Sequence, residues 1–235
     1  MNKKIVYPGK ELELFDKANF WRNYLYFKIK KFFGKKILEV GAGIGSFTEI
    51  YKENNREITL SEIDPANYKI LKKKFNLSKN VKVEDKFANE LNEKFDTILY
   101  LSVLEHIEED IKEIESAISK LDENGNLIFC VPAHNYMYSA FDKEIGHLRR
   151  YDINFFKNLK IKNLKLINCY LLDSLGQLIY FFNKLLFSKE KYPTKIKIFI
   201  WDKILIPITT VLDFLLFYKF GKNIICVLKK VSKNY

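Results

Sequence analysis

Glu39, Glu62 and Asp85 each stand close behind a short apolar run, and the first opens the sequence E-V-G-A-G-I-G at residues 39–45. Glycines at Gly41, Gly43 and Gly45 allow a tight backbone turn and leave room for a ligand to lie against it. Dinucleotide turns of the form G-x-G-x-x-G would need their third glycine at Ser46, whereas here it falls at Gly45. An acid two residues before the first glycine offers nothing to a pyrophosphate but suits a cationic ligand. A carboxylate at Glu62 can accept both hydroxyls of a ribose, and one at Asp85 can accept from an exocyclic adenine amine. Glu84 beside Asp85 leaves that adenine partner ambiguous. Any one of these acids alone reads as a solvated loop residue. Three of them at successive strand ends, with the glycine turn, read as a ligand-binding edge.

The three histidines, His106, His134 and His147, all fall after the fourth or fifth strand, in segments that face the ligand crevice of an open α/β sheet. His147 belongs to D-K-E-I-G-H-L-R-R-Y at residues 142–151, with Asp142 upstream and Arg149, Arg150 and Tyr151 downstream. Histidine is suited to proton transfer near neutral pH, and two arginines can grip a carboxylate or phosphate. The competing reading is an internally paired lid loop in which Asp142 bonds an arginine. His106, at a helix start, is expected to orient backbone more than to do chemistry. Cys130, Cys169 and Cys226 are scattered through apolar runs without metal-ligand spacing, so reduced thiols in a cytosolic compartment are expected and no metal is.

The elements that must hold these residues alternate. Strands are expected at residues 36–40, 58–61, 81–84, 95–101 and 126–131. Helices are expected at 11–33, 46–52, 65–75 and 107–121, the third with Pro65 in its first turn and the last with acids crowding its start. Residues 122–125 read as a turn. Strands separated by helices pair in parallel through right-handed crossovers. After Pro132 a polar and aromatic loop runs to Asp152. A helix at 153–159, a strand at 164–170 and a last strand at 223–229 follow, with residues 171–220 as a helical insertion. The expectation is one doubly wound α/β domain over 1–235, with a mostly parallel seven-stranded sheet. It divides into an N-terminal helical lid (1–34), a ligand-binding core (35–170), the insertion, and the last strand with its tail (221–235).

These motifs resemble the class I S-adenosylmethionine-dependent methyltransferases, in particular the small-molecule branch with E-x-G-x-G-x-G, an acid after the second strand and L-E-H after the fourth. The likeness covers about residues 10–170 and the final strand, and the G-H-L-R-R-Y segment at 146–151 adds to its specificity. It implies S-adenosylmethionine as cofactor. Glu39, Gly41, Ala42, Gly43 and Gly45 would line its methionine and ribose, Glu62 and Ile63 the ribose, Asp85 and Lys86 the adenine, and Leu101 the pocket edge. His147, Asp142 and His106 are then the catalytic candidates, and His134, Arg149, Arg150, Tyr151 and Trp21 the acceptor-side ones. Asn19 and Trp21 resemble an aromatic lid. Methyl transfer from a sulfonium is an in-line displacement that needs alignment, with a base only where the acceptor must lose a proton.

Charge and apolarity mark the last third. Residues 1–154 are neutral overall, and residues 155–235 carry the whole net charge of +11. Within residues 175–187 and 204–218 apolar side chains crowd together, with Lys184, Lys189, Lys203 and Lys219 at their margins. The second run contains Pro207 and Asp213 and falls short of the ~20 residues needed to cross a bilayer. A cap over the substrate, a dimer face and an interfacial helix pair on anionic lipid all fit. The N-terminus shows no secretory signal. The expected function is methyl transfer to a small-molecule or lipid-linked acceptor (sugar, quinone or prenyl type), in the cytoplasm or peripherally on the inner membrane face. RNA methylation ranks below it, because the fourth strand ends in L-S-V-L-E-H rather than Asn/Asp-Pro-Pro-aromatic. An inactive cofactor-binding scaffold is the remaining alternative.

Overall fold

Paired apolar residues such as Ile37 with Leu38 and Ile98 with Leu99 send successive side chains to opposite faces, so strands built from them are covered on both sides. A computed structural model describes residues 6–53, 55–186 and 192–232, without the side chains of 183–186. It contains seven strands: β1 (Lys36–Val40), β2 (Glu57–Ser61), β3 (Val81–Glu84), β4 (Phe95–Leu101), β5 (Leu121–Pro132), β6 (Leu164–Leu172) and β7 (Asn223–Lys230). They form one sheet in the order β3-β2-β1-β4-β5-β7-β6. The first five are parallel, and β7 runs antiparallel to both neighbours. This is the doubly wound, mostly parallel sheet expected from the alternation.

The helices are α1 (Glu11–Phe15), α2 (Asn19–Ile29), α3 (Thr48–Tyr51), α4 (Pro65–Lys74), α5 (Asp110–Lys120), α6 (Ala140–Glu144), α7 (Ile153–Lys157), α8 (Ser174–Leu186), α9 (Lys195–Ile200) and α10 (Ile206–Leu215). One core lies under α5 and α7, where Leu38, Tyr100, Ile114, Phe129 and Phe156 meet. The other lies under α2, α3, α4 and α10, where Leu25, Ile37, Tyr51, Leu71, Leu99 and Ile206 meet.

Three local expectations are corrected. The helix expected over 11–33 is two helices, α1 and α2, and then a single 3-10 turn. Residues 122–125 do not close a turn. They enter β5 as an irregularity, with Asn124 at φ +64° and a shift in register between Phe95 and Thr97 of β4. The helix after the glycine turn is only four residues long. Of the apolar run at 175–187, Phe187 and the neighbouring Lys189 lie outside the described residues, as does the Lys184 side chain.

Candidate functional site

The glycine turn follows β1 at the carboxyl edge of the sheet, with Gly41, Gly43 and Gly45 at φ +62°, +58° and +72°. A Cβ on Gly41 would lie 2.7 Å from Cγ2 of Val103, so the turn packs directly on the segment that carries Glu105 and His106. Most of its amides face inward. Gly41 and Ala42 donate to the Ser61 carbonyl, Gly43 donates to Glu62 Oε2 (2.7 Å), and Gly45 donates to the Ala42 carbonyl. A turn that cradles phosphate must offer free amides to the ligand. This one has committed four of them, to Ser61, Glu62 and its own Ala42.

Glu62 pins the turn. Its second oxygen accepts from the Asp64 amide, and burial raises its carboxyl. Asp64 in turn caps α4 and accepts from the Tyr7 amide. Glu39 is buried beneath the turn, accepting from Thr48 Oγ1 (2.8 Å) and Tyr51 Oη (2.5 Å). Glu84 is drawn into ion pairs with Lys82 and Lys86, which leaves Asp85 the exposed acid beyond β3. Ile63, Leu101 and Ala42 are half-buried along the same edge, and Lys86 is exposed beside it.

On the other side, His106 and His147 stand edge to face, ring centroids 4.8 Å apart. Glu105 is fully buried next to them, with His147 Nε2 at 3.7 Å from its Oε1. Desolvation raises the Glu105 carboxyl to about 7 and, with help from His147, lowers His106 to about 4. Ser102 and His134, at the ends of β4 and β5, hold positive φ values (+57° and +66°), as strained residues at functional edges often do.

Asp142 is the most heavily bonded acid of this loop. Its carboxylate accepts from His147 Nδ1, Arg150 Nε, the amide and hydroxyl of Ser139, and Tyr180 Oη. Burial works against its charge, but the His147 hydrogen bond and Arg150 hold it well below the usual carboxylate range. Asp142 thus ties His147, Arg150, Ser139 and Tyr180 together. Arg149 is likewise committed, to Asp110 (2.7 Å) and the Glu108 carbonyl. Tyr151 donates to Asp110 and the Leu104 carbonyl from a buried position. Arg149, Arg150 and Tyr151 are thus paired within the fold, the internally paired loop that the sequence offered as the competing reading. His134 is half-buried, with Nε2 3.0 Å from the Gly221 carbonyl, and lies apart from the histidine pair.

Trp21 packs on Trp201 and Tyr24, and its amide donates to Asp202, so it anchors the insertion. Residues 7–12 join the glycine turn to the histidine pair: the Tyr7 ring meets His106, its hydroxyl bonds Glu11, Pro8 abuts Gly146 and Leu12 abuts Gly43. Tyr7, Glu11 and Tyr180 were missed in the sequence, because nothing in their spacing distinguishes them from ordinary surface residues.

A family model described as a methyltransferase domain matches residues 16–180. Among solved structures, coclaurine N-methyltransferase bound to N-methylheliamine and SAH shares 14% identity at a TM-score of 0.61, covering 91% of this chain and 72% of that one. N-methyltransferase NodS from Bradyrhizobium japonicum WM9, in complex with S-adenosyl-L-homocysteine, shares 12% at 0.59, covering 96% and 94%. The [4+2]-cyclase SpnF shares 16% at 0.60, covering 90% and 81%. Identities this low establish likeness of fold alone. No curated protein sequence matches the chain.

Proposed function

The chain belongs to the methyltransferase-domain family, and from that premise we propose that it methylates a lipid-linked acceptor (sugar, quinone or other prenyl compound) at a membrane surface. Its cofactor is S-adenosylmethionine, which when bound supplies an electrophilic methyl on a sulfonium. The residues present fit that group. Bare glycine backbone suits a zwitterionic chain better than a pyrophosphate, and Glu62, fixed by two amides, keeps lone pairs for ribose hydroxyls. Residues 7–12 would exclude water over the bound cofactor. The Glu105–His106–His147 cluster, just beyond Val103, which packs on Gly41, would receive the acceptor. Alignment of acceptor and methyl is what such a displacement asks of the protein.

The observation that carries the lipid reading is the inverted polarity of the insertion. Helix α10 buries its polar residues, Thr209 and Asp213, while Ile208, Val211, Phe214 and Leu215 are exposed, Phe214 by 65%. Asp213 accepts from Tyr24 Oη and from the amides of Asp173 and Ser174. It therefore anchors the helix without opposing contact of the outer face with lipid. Ile196 and Phe199 of α9 and Leu178 and Phe182 of α8 are exposed as well. Apolar surface of this extent marks a protein or membrane contact, and lysines near anionic lipid add ~1 kcal/mol each. None of the described helices is long and apolar enough to cross a membrane.

Sedimentation with vesicles tests this. The full chain should pellet with anionic vesicles at low salt and be released as salt screens its lysines. A chain that stays in the supernatant at low salt, or that dimerises through the insertion instead, would remove the membrane from the proposal.

A further inference from the structure

We propose that Glu105, His106 and His147 form a binding site for a divalent transition-metal ion, contrary to the expectation from sequence that no metal is bound. The three residues offer ligand atoms that all lie within 4.8 Å of one another. For atoms at that spacing, movements of no more than about 0.7 Å would give metal–ligand bonds of the usual length.

The orientation of each group argues for more than proximity. His147 Nδ1 is 2.8 Å from Asp142 Oδ1, which places its proton there and turns the Nε2 lone pair toward Glu105. His106 Nδ1 is 3.1 Å from the Gly146 carbonyl, which can only accept, so that nitrogen carries the proton and Nε2 is bare. Each ring thus donates its far N–H to a carboxylate or a carbonyl, the arrangement that fixes metal-binding imidazoles elsewhere. Glu105 completes the set. It is 0% exposed, and both of its oxygens are buried without a hydrogen-bond partner. A buried carboxylate so bare is costly unless it takes up a proton or a cation answers it. Glu11 on the covering segment has a second buried, unpartnered oxygen, Oε2, and lies within electrostatic reach of His147.

Two imidazoles and one or two carboxylates suit zinc, iron(II), manganese or cobalt rather than calcium. The ion would act as a Lewis acid, polarising an acceptor hydroxyl so that it loses its proton to solvent near neutral pH. That consequence assumes the transfer reaction proposed above and selects oxygen as the methylated atom. Binding of the ion does not depend on it. The alternative is a wholly protonic cluster, with an imidazolium at His147 lying between Asp142 and Glu105.

The test uses the chelator-treated full chain with metal alone. Titration with Co2+ should show one saturable equivalent by ligand-field absorption, displaced by Zn2+. His106→Gln should weaken binding by more than ~100-fold, beyond the cost of losing an outer partner. Should that variant fail to fold, imidazole NMR of the wild type decides. Zn2+ should shift the signals of His106 and His147 and leave His134 unmoved. Absence of saturable binding, equal binding by folded His106→Gln, or shifts at His134 instead would overturn the site. Because neither cofactor nor acceptor is present, that failure would leave the proposed transfer reaction standing.

Discussion

Burial raises the Glu39 carboxyl to about 7, against hydrogen bonds from Tyr51 and Thr48 that favour its charged form. The sign of the linkage follows from the unfolded chain, where the group titrates near 4.5. Between those values the unfolded state releases the proton while the folded state keeps it, so the contribution of Glu39 to stability falls as pH rises and is constant above about 7. Glu39→Gln retains an acceptor for Thr48 and Tyr51 and removes the titration. Its melting temperature relative to wild type should therefore be more favourable at about pH 8 than at about pH 5, by up to ~3 kcal/mol of stability. An equal difference at both values would mean that Glu39 stays ionised throughout. Sequence placed this acid correctly at the end of β1. It did not disclose that Thr48 and Tyr51 enclose it, because both partners come from a helix only one turn long. For Asp142 the residues around it were legible as one group, but five simultaneous donors, one from α8, are a property of tertiary packing.

At the scale of elements, the strands were the most legible part. Parallel strands buried on both faces need unbroken apolar runs, and those runs stand out in the sequence. The boundaries that moved lie where tertiary contact overrides local pattern: the break between α1 and α2, and the irregular start of β5. Helix α10 shows the limit of pattern reading. Pro207 and Asp213 looked like obstacles to a lipid-facing helix. In the fold Pro207 stands just after a π-helical turn (Trp201–Leu205) that joins α9 to α10, a widened turn of the kind that accommodates a residue without an amide, and Asp213 is buried. Val211→Glu with Phe214→Glu should abolish sedimentation with anionic vesicles while leaving the melting temperature nearly unchanged, since both residues are exposed. Undiminished sedimentation would move the contact from α10 to another surface. A large loss of stability would show that this face is already covered within the protein.

Across the whole molecule, the two sides of the crevice divide the work. Under the proposed function the glycine turn and Glu62 would hold the cofactor, and the segments after β4 and β5, which carry Glu105, His106 and His147, would face the acceptor. The basic last third then faces outward. Its described acids, Asp173, Asp202 and Asp213, are all buried, so the lysines set the sign of that surface. Charge and apolar side chains on the same face would bring the crevice to a membrane, where a prenyl or acyl tail could remain while its polar head enters. The most direct measurement gives the full chain S-adenosylmethionine labelled in the methyl group, together with separate lipid, RNA and soluble-metabolite extracts of its source cells. The account predicts label in the organic-solvent-soluble lipid fraction, lost on heat inactivation. Label confined to RNA or to water-soluble metabolites would contradict it.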